Sequence, residues 1–403
     1  MFKIAFRNIF RQKRRTMLTM LTMLGGFVLS AISIGYADGT YSYIIDLFTR
    51  NRLGHVQIHE GNYLDRPSLY KTIDDYHAVG DTVQKVSRVV SWAPRLFSGG
   101  LASLEDNTAG AEVIGIDPVR EDSATDFSNK VIRGSYLASE PSHEVMLGKG
   151  LAKRLHAEVG DSTVILSQAA DGSIANDIYR VVGITDRGDQ MANRTGFYLH
   201  LHDAQELFAL QGRVHELVVI ANSIHNLEEL ASNIRGSLGE ESLQVKPWMA
   251  VATTFYQTMK ADIQGMWIML FVIILIVAIG VLNTVLMSVL ERTREYGVLK
   301  AMGTRPFEVF RMVLFEIGIM AVISVIAGAA LGVAFNYYFS IHGIPLPTAF
   351  DWGGIQVSQM YTYPTPRSVY LPAITVVLTS FIVSAFPALK AARIAPAQAM
   401  RMH

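Results

Sequence analysis

The chain has 403 residues; half are hydrophobic and 17% are charged. Soluble domains carry nearer ~25% charged residues, so the composition excludes a disordered chain and argues against a purely soluble globule. There is no cysteine, which excludes a disulfide scaffold, a Cys-ligated zinc or iron–sulfur site and a thiol nucleophile. Lys+Arg and Asp+Glu are 35 each, so no global basic field points to nucleic acid.

The balance hides a partition. Residues 1–15 hold six Lys/Arg and no acid, whereas residues 37–262 hold 20 basic and 30 acidic side chains. Thr16–Tyr36, Met266–Leu290 and Val369–Leu389 carry no charge, and Met312–Ile341 carries only Glu316. A helix needs ~20 apolar residues to cross ~30 Å of hydrocarbon. All four segments qualify, and the predicted fold is an α-helical membrane protein with four transmembrane helices plus a large α+β periplasmic domain between helices 1 and 2. The first apolar run is longer than the ~7–15 residues of a signal core, so it is expected to stay as an anchor. The basic tail, the 291–311 loop with five basic residues and the 390–403 tail with three are expected on the cytoplasmic side. Residues 342–368, with only Arg367 basic, are expected outside.

In the large domain, short β-type runs appear at His55–Ile58, Glu112–Ile116, Thr163–Leu166, Tyr179–Ile184, Gly196–Leu199 and Glu216–Ile220. Helical patterns lie at Ala78–Val89, Lys149–His156, Leu201–Leu210 and His225–Leu238, with Asp203 and Asn226 near two starts as caps would be. Pro94 to Gly100 and Asp171-Gly172 read as loops. Two subdomains are expected, one from ~50–135 with ~220–245 and one from ~136–215. Tyr41–Phe48 and Met249–Met259 read as helical stalks or as interfacial aromatic anchors. The domain scheme is a 1–15 basic tail; 16–48 helix one and stalk; 49–247 the α+β domain; 248–290 stalk and helix two; 291–311 a coupling segment; 312–341 helix three; 342–368 an outer loop; 369–389 helix four; 390–403 a tail.

Catalytic signatures are missing. There is no G-x-x-x-x-G-K-[ST] phosphate loop, no G-x-S-x-G elbow and no H-E-x-x-H. His55/His59 and His200/His202 are the close histidine pairs; the second alternates as on a strand, and both pairs read as surface residues. No metal site is expected.

Residues 291–306, ERTREYGVLKAMGTRP, put charged residues at helical-neighbour spacing, an apolar set at Val298, Leu299 and Met302, a helix stop at Gly303 and a helix start at Pro306. This is a short amphipathic helix, either a membrane-surface helix or a docking element. Glu316 is an acid inside a span and a functional suspect on that ground. Gly25-Gly26 in helix one and the Gly328/Gly332 G-x-x-x-G in helix three favour close helix packing. Near the C-terminus, Pro387 and Pro396 bracket a small basic helix.

The segment ERTREYGVLKAMGTRPFEV resembles the coupling loop of the ABC permease family shared by the MacB exporter, the lipoprotein-releasing Lol permeases and FtsX. FPALKAARIAPAQAMR resembles the same family's C-terminal signature. Leu147 to Leu155 with Val159-Gly-Asp161, and Tyr179 to Ile184 followed by Leu201–Leu210, resemble its ectodomain motifs. The resemblance covers essentially the whole chain, at a length similar to the Lol type. It implies the non-catalytic transmembrane subunit of a type VII transporter in a bacterial inner membrane, with both termini cytoplasmic. The partners it implies are a cytoplasmic ATPase dimer holding ATP and Mg, a second permease copy or a related permease, the bilayer, and a periplasmic carrier or lipoprotein. No cofactor is implied in this chain. By position, Glu291, Arg292, Glu295, Tyr296, Gly297, Lys300, Ala301 and Gly303 match the coupling motif; the charged residues are expected to pair across the ATPase groove, and Gly297 and Ala301 to allow close approach. Extraction of lipoproteins or other amphiphiles is the leading expectation. MacB-like efflux of peptides or small molecules and FtsX-like signalling are the alternatives.

Overall fold

The structure, a computed structural model, describes residues 13–352 and 355–395. Most of the basic N-terminal tail and the end of the C-terminal signature, with Pro396, lie outside the described residues. The chain divides into a helical unit, reaching to Tyr43 and then comprising Thr258–Pro347 and residues from Gln359 on, and a second unit of Ile44–Gln257 with Thr348–Ser358.

Four helices are long and apolar enough to cross a membrane: Lys13–Phe48 (α1), Thr253–Glu291, Pro306–His342 and Arg367–Arg393. Each contains one of the four apolar segments and extends past it. α1 runs on through Tyr41–Phe48 without a break. The second span begins at Thr253, after a separate single turn at Trp248–Val251. With hydrocarbon as solvent, apolarity does not drive helices together; close contact and hydrogen bonds do. The helices of this unit meet in that way. A Cβ on Gly26 would stand 2.1 Å from Val277 Cγ2, and one on Gly332 would stand 3.0 Å from the Ala31 Cβ. Buried Asn336 donates its Nδ2 to the Ala31 carbonyl at 3.0 Å, and Ser324 donates to the Met20 carbonyl at 3.1 Å. Both polar side chains tie the third span to α1.

The second unit is built on one ten-stranded sheet. Its strands are Val56–Glu60 (β1), Val89–Leu104 (β3), Asn107–Ile116 (β4), Val131–Gly134 (β5), Glu144–Gly148 (β6), Ser162–Gln168 (β7), Ile174–Thr185 (β8), Gly196–His200 (β9), Glu216–Ala221 (β11) and Leu243–Pro247 (β12); Ile73–Asp74 (β2) and Arg213–Val214 (β10) form a separate small pair. The order is β12-β1-β11-β3-β4-β9-β6-β8-β5, and β7 crosses to pair with β3 and β8. β4–β9 and β6–β8 are parallel; the other pairings are antiparallel. The sheet runs unbroken through the residues assigned from sequence to two subdomains. Six short helices flank it: Tyr76–Gln84 (α2), Pro118–Thr125 (α3), Lys149–Leu155 (α4), Gln190–Thr195 (α5), Leu201–Leu207 (α6) and Leu227–Leu238 (α7).

The six predicted strand segments fall in strands, except that His55 lies one residue before β1, and Asp171-Gly172 is a loop. Pro94 to Gly100 is not a loop but the middle of β3. Pro94 pairs only with Leu217 of β11, and the β4 ladder starts one residue later at Arg95. The missing N–H thus falls where the strand has a neighbour on one side. Gly100 is needed because β7 passes close: a Cβ there would sit 3.0 Å from the Leu166 carbonyl oxygen. The helix expected over Ala78–Val89 stops at Gln84, and Val89 already opens β3. Asp203 is not a cap. His200 caps α6, and Asp203 instead accepts the His143 N–H at 3.2 Å. Asn226 holds the cap position of α7 in a left-handed conformation but makes no side-chain cap bond.

The first histidine pair is also corrected. His55 and His59 are 2% and 1% exposed. His55 Nδ1 accepts the Ala221 N–H at 2.8 Å; His59 Nδ1 lies 3.0 Å from the His215 carbonyl. Burial pulls both imidazoles down to a pKa of about 4. His200 and His202 are not on one strand: His200 ends β9 and exposed His202 is in α6. An ionic core lies nearby. Arg95 donates two bonds to Glu121, at 2.7 and 3.0 Å, and a third to Glu216 at 3.3 Å, with all three side chains buried. Burial alone would raise the Glu121 carboxyl; Arg95, Arg187 and Thr125 together hold it below the usual carboxylate range.

Candidate coupling site

The helix predicted in the 291–306 segment is present. Following the spans in chain order, Trp248–Val251 is α8, Thr253–Glu291 is α9, the short helix Thr293–Ala301 is α10, Pro306–His342 is α11 and Arg367–Arg393 is α12. α9 and α10 are separated by Arg292, the residue at the N-cap of α10. Gly303, in the left-handed region at φ +99°, ends the turn after α10. α11 then opens with Pro306, and Glu308 accepts the Arg305 N–H at 2.9 Å, closing its first turn.

The motif residues divide into two sets. The first points inward. The Arg292 side chain, 8% exposed, donates to Glu316 at 3.1 and 3.4 Å and to Glu295 at 3.0 Å. Glu316 is 13% exposed, so the acid of the third span and the first residue of the coupling turn form a largely buried pair. The Tyr296 ring is buried, with the Arg292 guanidinium 5.5 Å from its centroid. Gly297 is buried as well. Leu299 packs on the core that contains Met23, Val285, Val309 and Ala388. Lys300 donates its Nζ to the carbonyls of Ala392 and Ile394, both at 2.8 Å. These are terminal carbonyls of α12, where a cation satisfies unpaired acceptors and meets the negative end of the helix dipole.

The second set faces out. Glu291 is 45% exposed on its side chain, Val298 is 43% exposed and Met302 is 70% exposed; Arg294, Ala301 and Gly303 are exposed too. Residues 294, 298, 301 and 302 share a face by helical spacing. Val298 and Met302 therefore do not sit on the same side as Leu299, contrary to the single apolar side read from sequence. Glu291 is also held: Arg15 of α1 donates to it at 2.7 Å, and the same guanidinium donates to the Thr284 carbonyl of α9 at 2.6 and 3.0 Å. A cavity of about 20 Å³ lined by Arg15, Ser288, Tyr296 and Glu316 lies beneath, room for one water.

Through these bonds the turn and helix around Glu291–Lys300 connect to all four spans: to α1 through Arg15, to α9 by continuity, to α11 through Arg292–Glu316 and to α12 through Lys300. The small residues divide similarly. Gly26, Gly328 and Gly332 face Val277, Phe27 and Ala31, with no room for a side chain; Gly25 has nothing within 4 Å. Sequence reading did not single out Arg15, Arg294 or Asn336. Arg15 carried a signal only as the last charge before the first apolar run.

Comparison with known proteins supplies two family models. Residues 267–396 match the FtsX-like permease C-terminal model and residues 16–237 match the MacB-like periplasmic core domain. A lipoprotein-releasing system transmembrane protein, LolC, of Neisseria meningitidis is 22% identical over 99% of this chain and 98% of its own length. The macrolide export ATP-binding/permease protein MacB of Marinobacter nauticus is 20% identical over 87% of this chain and 56% of its own length. Among solved structures, the periplasmic region of MacB from Actinobacillus actinomycetemcomitans is similar at 16% identity and a TM-score of 0.37, covering 51% of this chain and 94% of that one.

Proposed function

The chain belongs to the family of ABC transporter permeases with an FtsX-like C-terminal region and a MacB-like periplasmic core domain, and from that premise we propose that it is the mechanical subunit of an inner-membrane complex whose ATP hydrolysis occurs on a separate cytoplasmic ATPase. Both termini and the coupling helix α10 lie on the cytoplasmic side in this reading. The ATPase, an ATP- and Mg-binding dimer, docks on the outward set: Glu291, Arg294, Val298, Ala301, Met302 and Gly303. The inward set (Arg292, Tyr296, Lys300 and Glu316) carries the displacement into the spans. Two permease copies, identical or related, sit on the ATPase dimer.

The observation that carries this reading is the bonding of one short exposed helix to every span. A surface helix that only floats in the headgroup layer has no need for a buried Arg–Glu pair or for a lysine clamped on the end of a distant helix. The substrate class we propose is a lipid-anchored or amphiphilic molecule handed to a periplasmic acceptor. The end-to-end match to a lipoprotein-releasing permease supports it. Pulling acyl chains out of a bilayer costs about 0.8 kcal/mol per CH₂, which requires an energy supply such as the ATPase.

The test is co-purification of the ATPase with Val298→Asp/Met302→Asp. Both residues are exposed, so the variant should insert and fold as the parent does. Loss of the ATPase from the purified complex is expected. Undiminished recovery of the ATPase would refute docking on this face. For the substrate class, lipoprotein or lipid identified by mass spectrometry in the complex is expected; a bound wall hydrolase with no amphiphile would favour signalling instead.

A further inference from the structure

On its outer surface the helical unit carries a groove of about 630 Å³ between α11 and α12. Its α11 wall is Arg311, Leu314, Phe315, Ile319 and Val322, with Phe381 of α12 opposite. The α11 residues recur at three- and four-residue intervals and so lie on one face. The notch exists because Gly318 is there: a Cβ at that position would reach 3.0 Å from Phe381 Cζ. Apart from Arg311, every residue lining the groove is apolar.

Arg311 stands at one end. It is the last charge before the apolar run of the third span. Its guanidinium lies over Phe315 at 5.6 Å and Phe307 at 6.0 Å. Its N–H donors bond to no described residue. Arg311 forms no ion pair with any described residue. The acid one turn before it, Glu308, is engaged by the Arg305 N–H. From Arg311 to Ile323, the far lining residue, is about 18 Å at 1.5 Å per residue. Half of a ~30 Å hydrocarbon core is about 15 Å. The groove therefore has the depth of a single leaflet, with a cation at the headgroup level and only apolar surface below it.

We propose that this groove holds one anionic phospholipid of the leaflet adjoining the 291–305 loop, its phosphate on Arg311 and one acyl chain along Phe315, Ile319, Val322 and Phe381. The inference requires that α11 spans the bilayer. It does not require ATPase docking, so it stands or fails apart from the coupling proposal.

The test uses the full-length chain in mild detergent, titrated with dioleoyl phosphatidylglycerol or dioleoyl phosphatidylcholine, with bound lipids counted by native mass spectrometry. One phosphatidylglycerol is expected to bind at lower concentration than phosphatidylcholine. Arg311→Gln should raise the phosphatidylglycerol concentration for half-occupancy about fivefold, the effect of about one basic residue on an anionic headgroup, and leave phosphatidylcholine unchanged. Val322→Trp, at a site 52% exposed and so tolerant of bulk, should fill the groove and abolish binding of both. Inorganic phosphate should not displace the lipid. Equal affinity for the two lipids, indifference to Arg311→Gln, or displacement by phosphate alone would overturn the proposal. So would a second copy of the chain found at this face, detected as a dimer that Val322→Trp dissociates.

Discussion

Replacing Arg292 by methionine isolates the buried tie between the coupling turn and the third span. Arg292 and Glu316 are 8% and 13% exposed on their side chains, and their oxygen and nitrogen atoms are 3.1 Å apart. Removing one partner of such a pair leaves a buried charge uncompensated, at a cost of roughly 3–5 kcal/mol. The contact of Arg292 with Glu295 is worth far less, because Glu295 is 40% exposed and half-exposed pairs contribute about 0–1 kcal/mol. Glu295→Gln should therefore cost under ~1 kcal/mol, and Arg292→Met at least ~3. Arg292→Met combined with Glu316→Leu removes both charges and should regain most of the loss, since apolar replacement of a buried pair is commonly neutral or better. Since each single variant leaves one buried charge unpaired and the double variant leaves none, the cycle should give a coupling energy above about 3 kcal/mol. The measurement is thermal unfolding of the four proteins in one detergent, with Arg294→Met at the exposed neighbouring arginine as control. If Arg292→Met is no more harmful than Arg294→Met, or if the double variant is worse than the sum of the singles, the buried brace does not exist as described.

Adjacent glycines should behave oppositely. Gly25→Ala adds a methyl to open space and should be neutral or stabilising by up to about 1 kcal/mol through helix propensity, whereas Gly26→Ala drives a methyl into Val277 and should cost about 1–3 kcal/mol in the same unfolding assay. Lys300→Met removes two charge-assisted bonds to α12 carbonyls; a loss of about 1.5–3 kcal/mol is expected, with faster amide exchange confined to the last turn of α12, and unchanged exchange there would count against the clamp. The second unit should be acid-sensitive. Burial holds His59 at a pKa of about 4 against an ordinary 6.5, so the unfolded chain takes up the proton first. The stability from this group is complete above pH 6.5 and is lost as pH falls through about 4, roughly 3 kcal/mol in all. His59→Gln should flatten that slope in denaturant melts between pH 7 and 4; a slope that survives undiminished would place the titration elsewhere.

The four spans were legible because each contains some twenty uncharged residues in a row, a signal that needs no partner to be read. Strands such as Glu216–Ile220 were legible because β-branched residues cluster in them. β3 was not. Its Pro94, Gly99 and Gly100 are turn residues by local chemistry, and only the one-sided pairing of Pro94 and the passage of β7 over Gly100 explain them. The burial of His55 and His59 was equally hidden, since their partners Ala221 and His215 stand more than 150 residues away in sequence. Within the coupling segment, local spacing revealed the helix but not the Arg292–Glu295 bond within it. It could not reveal Arg292–Glu316 or Lys300–Ala392, which are made across the bundle.

Those long-range bonds alter what the motif is for. Charged residues in an exposed helix suggest pairing with a partner, yet Arg292 and Lys300 are spent within the chain, and the side chains left for a partner at the centre of the helix are apolar, Val298 and Met302, with Glu291 and Arg294 beside them. On the proposed reading this division is mechanically sensible. A docking face has to engage and shift with its partner, whereas the links to the spans must hold through every stroke, and buried charge-assisted bonds are the ones whose rupture is most costly. A displacement imposed at Met302 therefore has no slack path. It reaches α11 through Glu316, α12 through Lys300 and α1 through Arg15, so severing any one of the three should weaken coupling at one helix while leaving the ATPase bound.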